Sequence, residues 1–413
     1  MTVGQLISSY PVHRTVVAGL TFVAAILAAR LLPAADFAAL MTAAFMAKCL
    51  QLCNLGATNG YFVSRYSGEG PLAQDVAGAE RRYLLFFLLQ MLALGVVVLA
   101  VALWLFPQYR IGALAFLLIA PIFAVEPYLR YRRNFSFSLM PDLLLSIALL
   151  TVVALHIARE ETGRTDIPYL SMIAALTGLV MVLAMRQHLP SKGAAPLDWR
   201  GYGELLALGM PVYVASFLFV ATSSMDRLIL PLHGADEQVA LYFLGHQLSV
   251  GAMIFLTAIN FINTVNLGEA RKQKNGISTQ FIFRKLLIAA GVGVASFFTL
   301  VAAAVMLEDM FLPSTFEGLT LVVVLLGFAF AVFFVAGSIT PLAAYYRRQL
   351  PLTFAMGFGA LMVSANNLYA YHEGLGAIWL AGGTSIILTL YAAFALFFVL
   401  STVKRHSGRM AAA

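Results

Sequence analysis

Residues Gly201–Tyr242 read GYGELLALGMPVYVASFLFVATSSMDRLILPLHGADEQVALY, and this stretch decides the fold. A polar start leads into a long apolar run that contains Pro211 and ends at two charged residues, Asp226 and Arg227. A charged side chain in the middle of a membrane costs about 2.5–3.5 kcal/mol on insertion scales. We therefore predict a membrane-spanning helix whose charged end faces protein or water and not lipid.

The composition of the whole chain indicates an integral membrane protein. Of its 413 residues, 61% are hydrophobic and 11% are charged, whereas a soluble globular protein carries about 25% charged residues. The two cysteines, Cys49 and Cys53, indicate neither a disulfide framework nor a metal site. The sequence shows no cleavable signal peptide and no ATP-binding G-x-x-x-x-G-K-[ST] motif. We expect no cofactor and no enzymatic activity.

Runs of about 20 apolar residues predict roughly twelve transmembrane helices. Most of the 26 Lys and Arg residues lie in alternate connections, so the positive-inside rule predicts that both termini are cytoplasmic. The net charge of +7 is then a topology signal and requires no nucleic-acid partner. The predicted spans are Thr15–Leu32, Phe37–Tyr61, Tyr83–Phe106, Ile111–Tyr128, Leu143–Ile157, Tyr169–Met185, Leu205–Leu232, Val239–Leu267, Phe281–Leu307, Leu319–Ile339, Leu352–Tyr371 and Ala377–Val403.

One polar connector in the middle of the chain divides the predicted helices into two halves. We predict an N-terminal half at residues 1–190, a cytoplasmic connector at residues 191–204 and a C-terminal half at residues 205–413. The motif RLLP at residues 30–33 is similar to RLILP at residues 227–231, which supports an internal repeat. The predicted fold class is therefore an all-α integral membrane protein, with two halves of about six helices each around a central cavity.

Short motifs at matching places in the two halves indicate a family. Residues 30–37 and 226–242 each combine basic, acidic and aromatic residues around the turn between two predicted helices. The second predicted helix contains LCNLG at residues 52–56, and the seventh contains Gly-Met-Pro at residues 209–211 before its Asp-Arg pair. With these motifs the chain resembles the multidrug/oligosaccharidyl-lipid/polysaccharide (MOP) exporter superfamily, and within it the O-antigen and exopolysaccharide flippases.

The resemblance implies a flippase of the bacterial inner membrane. It would move an undecaprenyl-pyrophosphate-linked oligosaccharide to the outer leaflet for polysaccharide or lipopolysaccharide synthesis, by rocking of the two halves. An ion gradient, or consumption of the product outside, would supply the energy. The implied partners are this lipid-linked oligosaccharide, membrane lipids, and the polysaccharide polymerase and glycosyltransferases of the same pathway.

Three alternatives remain open from the sequence. One is a cation-coupled multidrug exporter of the same superfamily, which we would expect to carry an acidic residue in its first helix. Residues Val16–Ala29 contain none. The second is a membrane-embedded polysaccharide polymerase or ligase, for which the connecting loops are too short to form a catalytic domain. The third is a non-transporting partner in a polysaccharide assembly complex.

Charged residues inside the predicted spans are the candidates for phosphate contacts and for a gate. Lys48 lies roughly 18 Å past Asp36 along the second helix, near the membrane midplane. We interpret Lys48 as a contact for a phosphate or as the partner of a carboxylate. The alternatives are a structural ion pair, or a helix that lies less deep in the membrane than this spacing assumes. Asp226 and Arg227 lie in the outer third of the seventh helix, and Arg30 has the matching place in the first half. These three are interpreted as an outer gate or as an ion-pair cluster that shapes the hinge.

Amide and imidazole side chains in the spans are the candidates for sugar contacts. Three asparagines of the eighth predicted helix share one face because they are three residues apart. Such a stripe can bind sugar hydroxyls or link helices to one another, and both interpretations are kept. Asp142 is interpreted as an ordinary carboxylate at a helix N-terminus. The candidates for sugar contacts are Asn54, Asn59, His246, Gln247, Asn260, Asn263 and Asn266.

Overall fold

The chain is an all-α membrane protein. The computed structural model describes residues 10–67, 70–72, 77–131, 139–159, 166–187, 198–251, 253, 279–346 and 348–411, and these form helices joined by turns. Eight helices among them are long and apolar enough to cross a membrane, and Thr15–Leu31 and Asp166–Val180 are shorter apolar helices. The predicted eleventh span is a 24-residue helix, Leu350–Glu373. The predicted eighth span extends into residues outside the described ranges.

The first compact unit covers Met1–Phe217. Within it α5 packs against α2, α4 and α7, while α6 packs against α1 and α7. A hydrogen bond of 2.7 Å between the hydroxyls of Thr21 and Ser146 joins α1 to α6. The helices of this unit are α1 (Tyr10–Leu31), α2 (Ala34–Cys49), α3 (Ala57–Ser67), α4 (Ala77–Trp104), α5 (Arg110–Tyr131), α6 (Met140–Arg159), α7 (Asp166–Gln187) and the first part of α8 (Trp199–Ser224).

The second compact unit covers Leu218–Ala413. Its elements after α8 are α9 (Asp226–Ile229), α10 (Asp236–Ser249), α11 (Thr279–Met310), α12 (Leu319–Gly337), α13 (Pro341–Tyr345), α14 (Leu350–Glu373) and α15 (Ala377–Ala411).

Helix α12 forms the centre of the second unit, since it packs against α10, α11 and α15. Its side chains Val322, Leu326, Phe330 and Phe334 follow one another at four-residue spacing and are buried. A helix that is apolar all round is typical of such a central position.

The second predicted span is interrupted. Helix α2 ends at Cys49, and a 3₁₀ turn at Leu50–Asn54 leads to Leu55 and Gly56, both in the left-handed region with φ of 47° and 88°. Helix α3 begins only after them. We predicted one continuous helix over Phe37–Tyr61, and the structure differs because two consecutive left-handed residues cannot continue a right-handed helix.

The seventh predicted span, Leu205–Leu232, begins in α8, which contains Pro211 and ends at Ser224. The rest of the span forms the short helix α9 and a 3₁₀ turn at Leu230–Leu232. Proline removes one backbone hydrogen bond and clashes with the preceding turn, so it bends a helix. The boundary between the two compact units falls between Phe217 and Leu218, within this helix.

Candidate functional site

Two groups of polar side chains lie at membrane depth, one in each compact unit. The first surrounds the interruption between α2 and α3, and includes Lys48. The second surrounds Asp226 at the end of α8. No group of three or more His, Cys, Asp or Glu that could hold a metal ion occurs among the described residues.

Asn54 shapes the interruption between α2 and α3. Its amide nitrogen donates to the carbonyl of Gln51 at 2.8 Å, and its side-chain oxygen accepts from the backbone N–H of Gly56 at 2.8 Å. Asparagine commonly bonds to its own backbone in this way at turns. The side chain that we listed as a sugar contact therefore holds the local backbone conformation.

Backbone carbonyl groups in the interrupted segment accept hydrogen bonds from side chains of other helices. Tyr213 of α8 donates its hydroxyl to the carbonyl of Leu52 at 3.0 Å. Gln90 of α4 donates to the carbonyl of Cys53 at 2.7 Å and accepts from the Tyr202 hydroxyl at 2.8 Å. Because a lipid environment offers no water to such carbonyls, an interrupted span needs donors of this kind. Helices α4 and α8 thus hold the interrupted segment in place.

Glycines bring α3 and α8 into backbone contact. A Cβ atom at Gly60 would lie 1.8 Å from the carbonyl oxygen of Leu205, and a Cβ atom at Gly209 would lie 1.9 Å from the carbonyl oxygen of Gly56. Both distances are shorter than any non-bonded contact, so only glycine fits at Gly60 and Gly209. Small residues of this kind allow close helix crossings in membranes.

Lys48 forms an ion pair with Asp142. The Lys48 Nζ lies 3.1 Å from the Asp142 Oδ1. Lys48 is in the last turn of α2 and Asp142 is in the first turn of α6, so each charge is at the helix end whose dipole stabilises it. The two side chains are 36% and 28% exposed. The pair is therefore only partly enclosed by the protein.

A second ion pair in the same unit is buried. Arg65 of α3 contacts Glu80 of α4, and their side chains are 2% and 0% exposed. The Tyr61 hydroxyl also donates to Glu80, at 3.0 Å. A pair that no ligand can reach serves to join α3 to α4.

Asp226 is the centre of the polar group in the second unit. Its side chain is fully buried. Asn367 of α14 donates to Oδ1 at 2.9 Å, Thr384 of α15 donates to Oδ2 at 2.6 Å, and the hydroxyl of Tyr242 of α10 also donates to Oδ2. A hydrogen bond to a charged group contributes about 1.5–3 kcal/mol. The carboxylate thus joins three helices to the end of α8.

Arg227 and His246 extend this group. Arg227 donates to the Ser224 hydroxyl at 2.8 Å, and its guanidinium lies 6.0 Å from the centre of the Phe243 ring. The buried His246 donates from Nε2 to the carbonyl of Ser223 at 2.9 Å. The His246 Nδ1 and the Asn367 Oδ1 have no hydrogen-bond partner within the part of the chain that is described. Both atoms are buried acceptors in the neighbourhood of the Asp226 carboxylate group.

Three other predicted site residues lie in α1, α3 and α10, and one group lies outside the described residues. Arg30, in the last turn of α1, is exposed. Asn59 in α3 and Gln247 in α10 are half-buried. The asparagine stripe of Asn260, Asn263 and Asn266 lies outside the described residues, so its role stays a prediction.

Sequence analysis did not identify which residues pair with one another, although its assignment of Asp142 to a helix N-terminus is confirmed. Tyr242, Thr384 and Asn367 surround Asp226, and Asp142 pairs with Lys48. One signal was available, because the consecutive pair Asn366-Asn367 interrupts an otherwise apolar span. Polar residues at such depth are costly, so each requires a partner.

The fold is that of known transporters. A multidrug resistance MATE family transporter of the MOP superfamily, in an inward-facing conformation, matches with a TM-score of 0.64 at 14% identity, over 95% of this chain and 95% of that one. The lipid II flippase MurJ, in an inward closed conformation, matches with a TM-score of 0.62 at 13% identity, over 94% of this chain and 87% of that one.

A third solved structure with a similar fold is also a MOP superfamily transporter. A MOP superfamily transporter from Pyrococcus furiosus, described as having a binding pocket of reverse polarity, matches with a TM-score of 0.61 at 14% identity, over 98% of both chains. No protein-family profile and no curated protein matches the sequence. The chain is therefore a multi-pass membrane protein with the same fold as these MOP superfamily transporters.

Proposed function

We propose that this protein is a flippase for an undecaprenyl-pyrophosphate-linked oligosaccharide. It would act in the bacterial inner membrane, with both termini in the cytoplasm, and supply cell-surface or exopolysaccharide synthesis. Sugars and pyrophosphate cannot cross hydrocarbon unaided, because they would lose their hydrogen bonds to water. The polymerase and glycosyltransferases of the same pathway would be its functional partners.

The partly exposed cation Lys48 is the observation that supports this proposal most. It lies fourteen residues into the span Ala34–Asn54, about 21 Å along the helix axis. More than a third of its side chain is exposed. Its partner Asp142 is in the first turn of α6, at the start of the span Met140–Ala158, so Lys48 lies close to one end of that span. A pyrophosphate that crosses the membrane needs such a cation on its path.

The runner-up function is cation-coupled drug export. The buried Asp226, with the free acceptor on Asn367, favours ion coupling. Ion coupling would serve a flippase equally well. The Lys48 ammonium group offers a phosphate a charged contact, which it does not offer to a cationic drug. We therefore place the flippase first.

Reconstituted transport tests the proposal. The purified protein is placed in vesicles with a fluorescent polyprenyl-pyrophosphate oligosaccharide, and the fraction accessible to an outside quencher is followed with time. We expect the parent protein to raise the flipping rate well above that of empty vesicles. Lys48→Ala should lower this rate at least about tenfold, because the phosphate loses its charged contact. Lys48→Arg should keep part of the rate, since the charge stays and its geometry changes.

The matched control is Lys404→Ala, which removes an exposed lysine at the end of another span. It should flip the lipid like the parent. Equal rates with the parent protein and with empty vesicles would overturn the proposed function. Drug efflux from the same vesicles would then support the alternative function, cation-coupled drug export.

A further inference from the structure

Two ion pairs of the first unit differ in how far their side chains are exposed. Arg65 and Glu80 are sealed from any ligand, with exposed fractions of 2% and 0%. Lys48 and Asp142 form an ion pair with exposed fractions of 36% and 28%. A fully buried pair is out of reach of a ligand, whereas the partly exposed pair Lys48–Asp142 is not fully enclosed by the protein.

We propose that Asp142 is the counter-ion that Lys48 exchanges for the pyrophosphate of the cargo. In the unloaded protein the carboxylate neutralises Lys48 across 3.1 Å, so no bare cation remains. A diphosphate that approaches Lys48 competes with Asp142 for the same ammonium group. When the cargo leaves, Asp142 takes its place again.

The exchange follows from simple electrostatics. A phosphate in contact with Lys48 brings its negative charge close to Asp142, and like charges at such a distance repel one another. Asp142 therefore weakens the binding of the anion and speeds its release. The affinity of a flippase for its cargo must be limited, because a cargo that is bound too tightly is not released. Asp142 is thus a positioning residue that sets how long the pyrophosphate stays.

This inference rests on the proposed function, and one binding experiment separates the two. The full-length protein in detergent is titrated with farnesyl pyrophosphate, and farnesol serves as the uncharged probe. Lys48→Gln should lose the binding of the pyrophosphate. Asp142→Asn should lower Kd about fivefold or more, because the competing charge is gone. Asp142→Glu should restore a Kd close to that of the parent.

Transport gives a second measurement. In the vesicle assay Asp142→Asn should lower KM and lower kcat together, since binding becomes tighter and release becomes slower. A residue that only supported the fold would not tighten binding when neutralised. The control is Glu80→Gln in the buried pair, which should reduce thermal stability and leave the Kd of the folded protein unchanged.

If Asp142→Asn binds the probe as the parent does, or more weakly, while Lys48→Gln loses binding, then the exchange is refuted and the flippase proposal stands. If the parent itself binds farnesyl pyrophosphate no better than farnesol, then the proposed cargo is wrong and the exchange with it.

Discussion

Asn367 donates a hydrogen bond of 2.9 Å to the buried carboxylate of Asp226, although the two residues are 141 positions apart. This contact joins α14 to the end of α8. With the bonds from Tyr242 and Thr384, it makes a single carboxylate the meeting point of four elements of the second unit. The first prediction concerns this residue.

Asp226→Ala should destabilise the protein by about 3 kcal/mol or more, because three buried donors lose their acceptor. Asp226→Asn should cost less, since it keeps one oxygen. Thermal unfolding in detergent measures both. The control Asp309→Ala removes an exposed carboxylate and should leave the midpoint unchanged. A midpoint for Asp226→Ala equal to that of the control would contradict the role of Asp226 as a junction.

Gly60→Ala should disrupt the crossing of α3 and α8. The new methyl group would lie 1.8 Å from the carbonyl oxygen of Leu205, so the helices must separate, at a cost of about 1–3 kcal/mol or more. Gly203→Ala in α8 meets no atom within 4 Å, and should be neutral or slightly stabilising. Thermal unfolding of the two variants side by side checks this prediction. If they have the same midpoint, the close crossing does not exist.

Glu80→Gln should be strongly destabilising, by about 3–5 kcal/mol, because the buried Arg65 loses its counter-charge. Glu204→Gln breaks another ion pair, with Arg200 at 3.9 Å, whose side chains are 57% and 89% exposed. That variant should unfold like the parent, since solvent screens exposed pairs. The comparison is a thermal melt of both variants, and a large loss for Glu204→Gln would refute the argument from burial.

Gln90→Leu should loosen the interrupted segment between α2 and α3. It removes the donor to the carbonyl of Cys53 and the acceptor of the Tyr202 hydroxyl. We expect faster labelling of the half-buried thiols Cys49 and Cys53 by a maleimide. Gln280→Leu, at an exposed position in the first turn of α11, is the control. Unchanged labelling in Gln90→Leu would mean that the segment is held by other contacts.

The orientation of the chain in the membrane has its own test. Reporter fusions after Arg133, Asn275 and Ala413 should report the cytoplasm, and fusions after Thr165 and Glu373 should report the outside. The reason is the concentration of Lys and Arg in alternate loops. An outside signal at Asn275 would contradict the model of about twelve spans, and with it the paired halves.

The membrane class and most of the helices could be predicted from the sequence alone. A bilayer requires every spanning segment to satisfy its own backbone and to carry apolar side chains. This requirement acts on each segment separately, so it leaves a local pattern of about 20 apolar residues. The predicted span Leu319–Ile339 therefore corresponds closely to α12, at Leu319–Gly337. The interruption at Leu55 has no comparable pattern, because leucine rarely adopts a left-handed conformation.

The partners of the charged residues were decided by the tertiary structure. The sequence identified Lys48 and Asp226 as charges that need a partner, because any charged side chain in an apolar span loses its hydration, whichever residue its partner is. It did not identify their partners, which are Asp142 for Lys48 and Asn367 and Thr384 for Asp226, at 94, 141 and 158 positions away. Hydrogen bonds and ion pairs act over a few ångströms, and only the packing of the helices determines which distant side chains come that close.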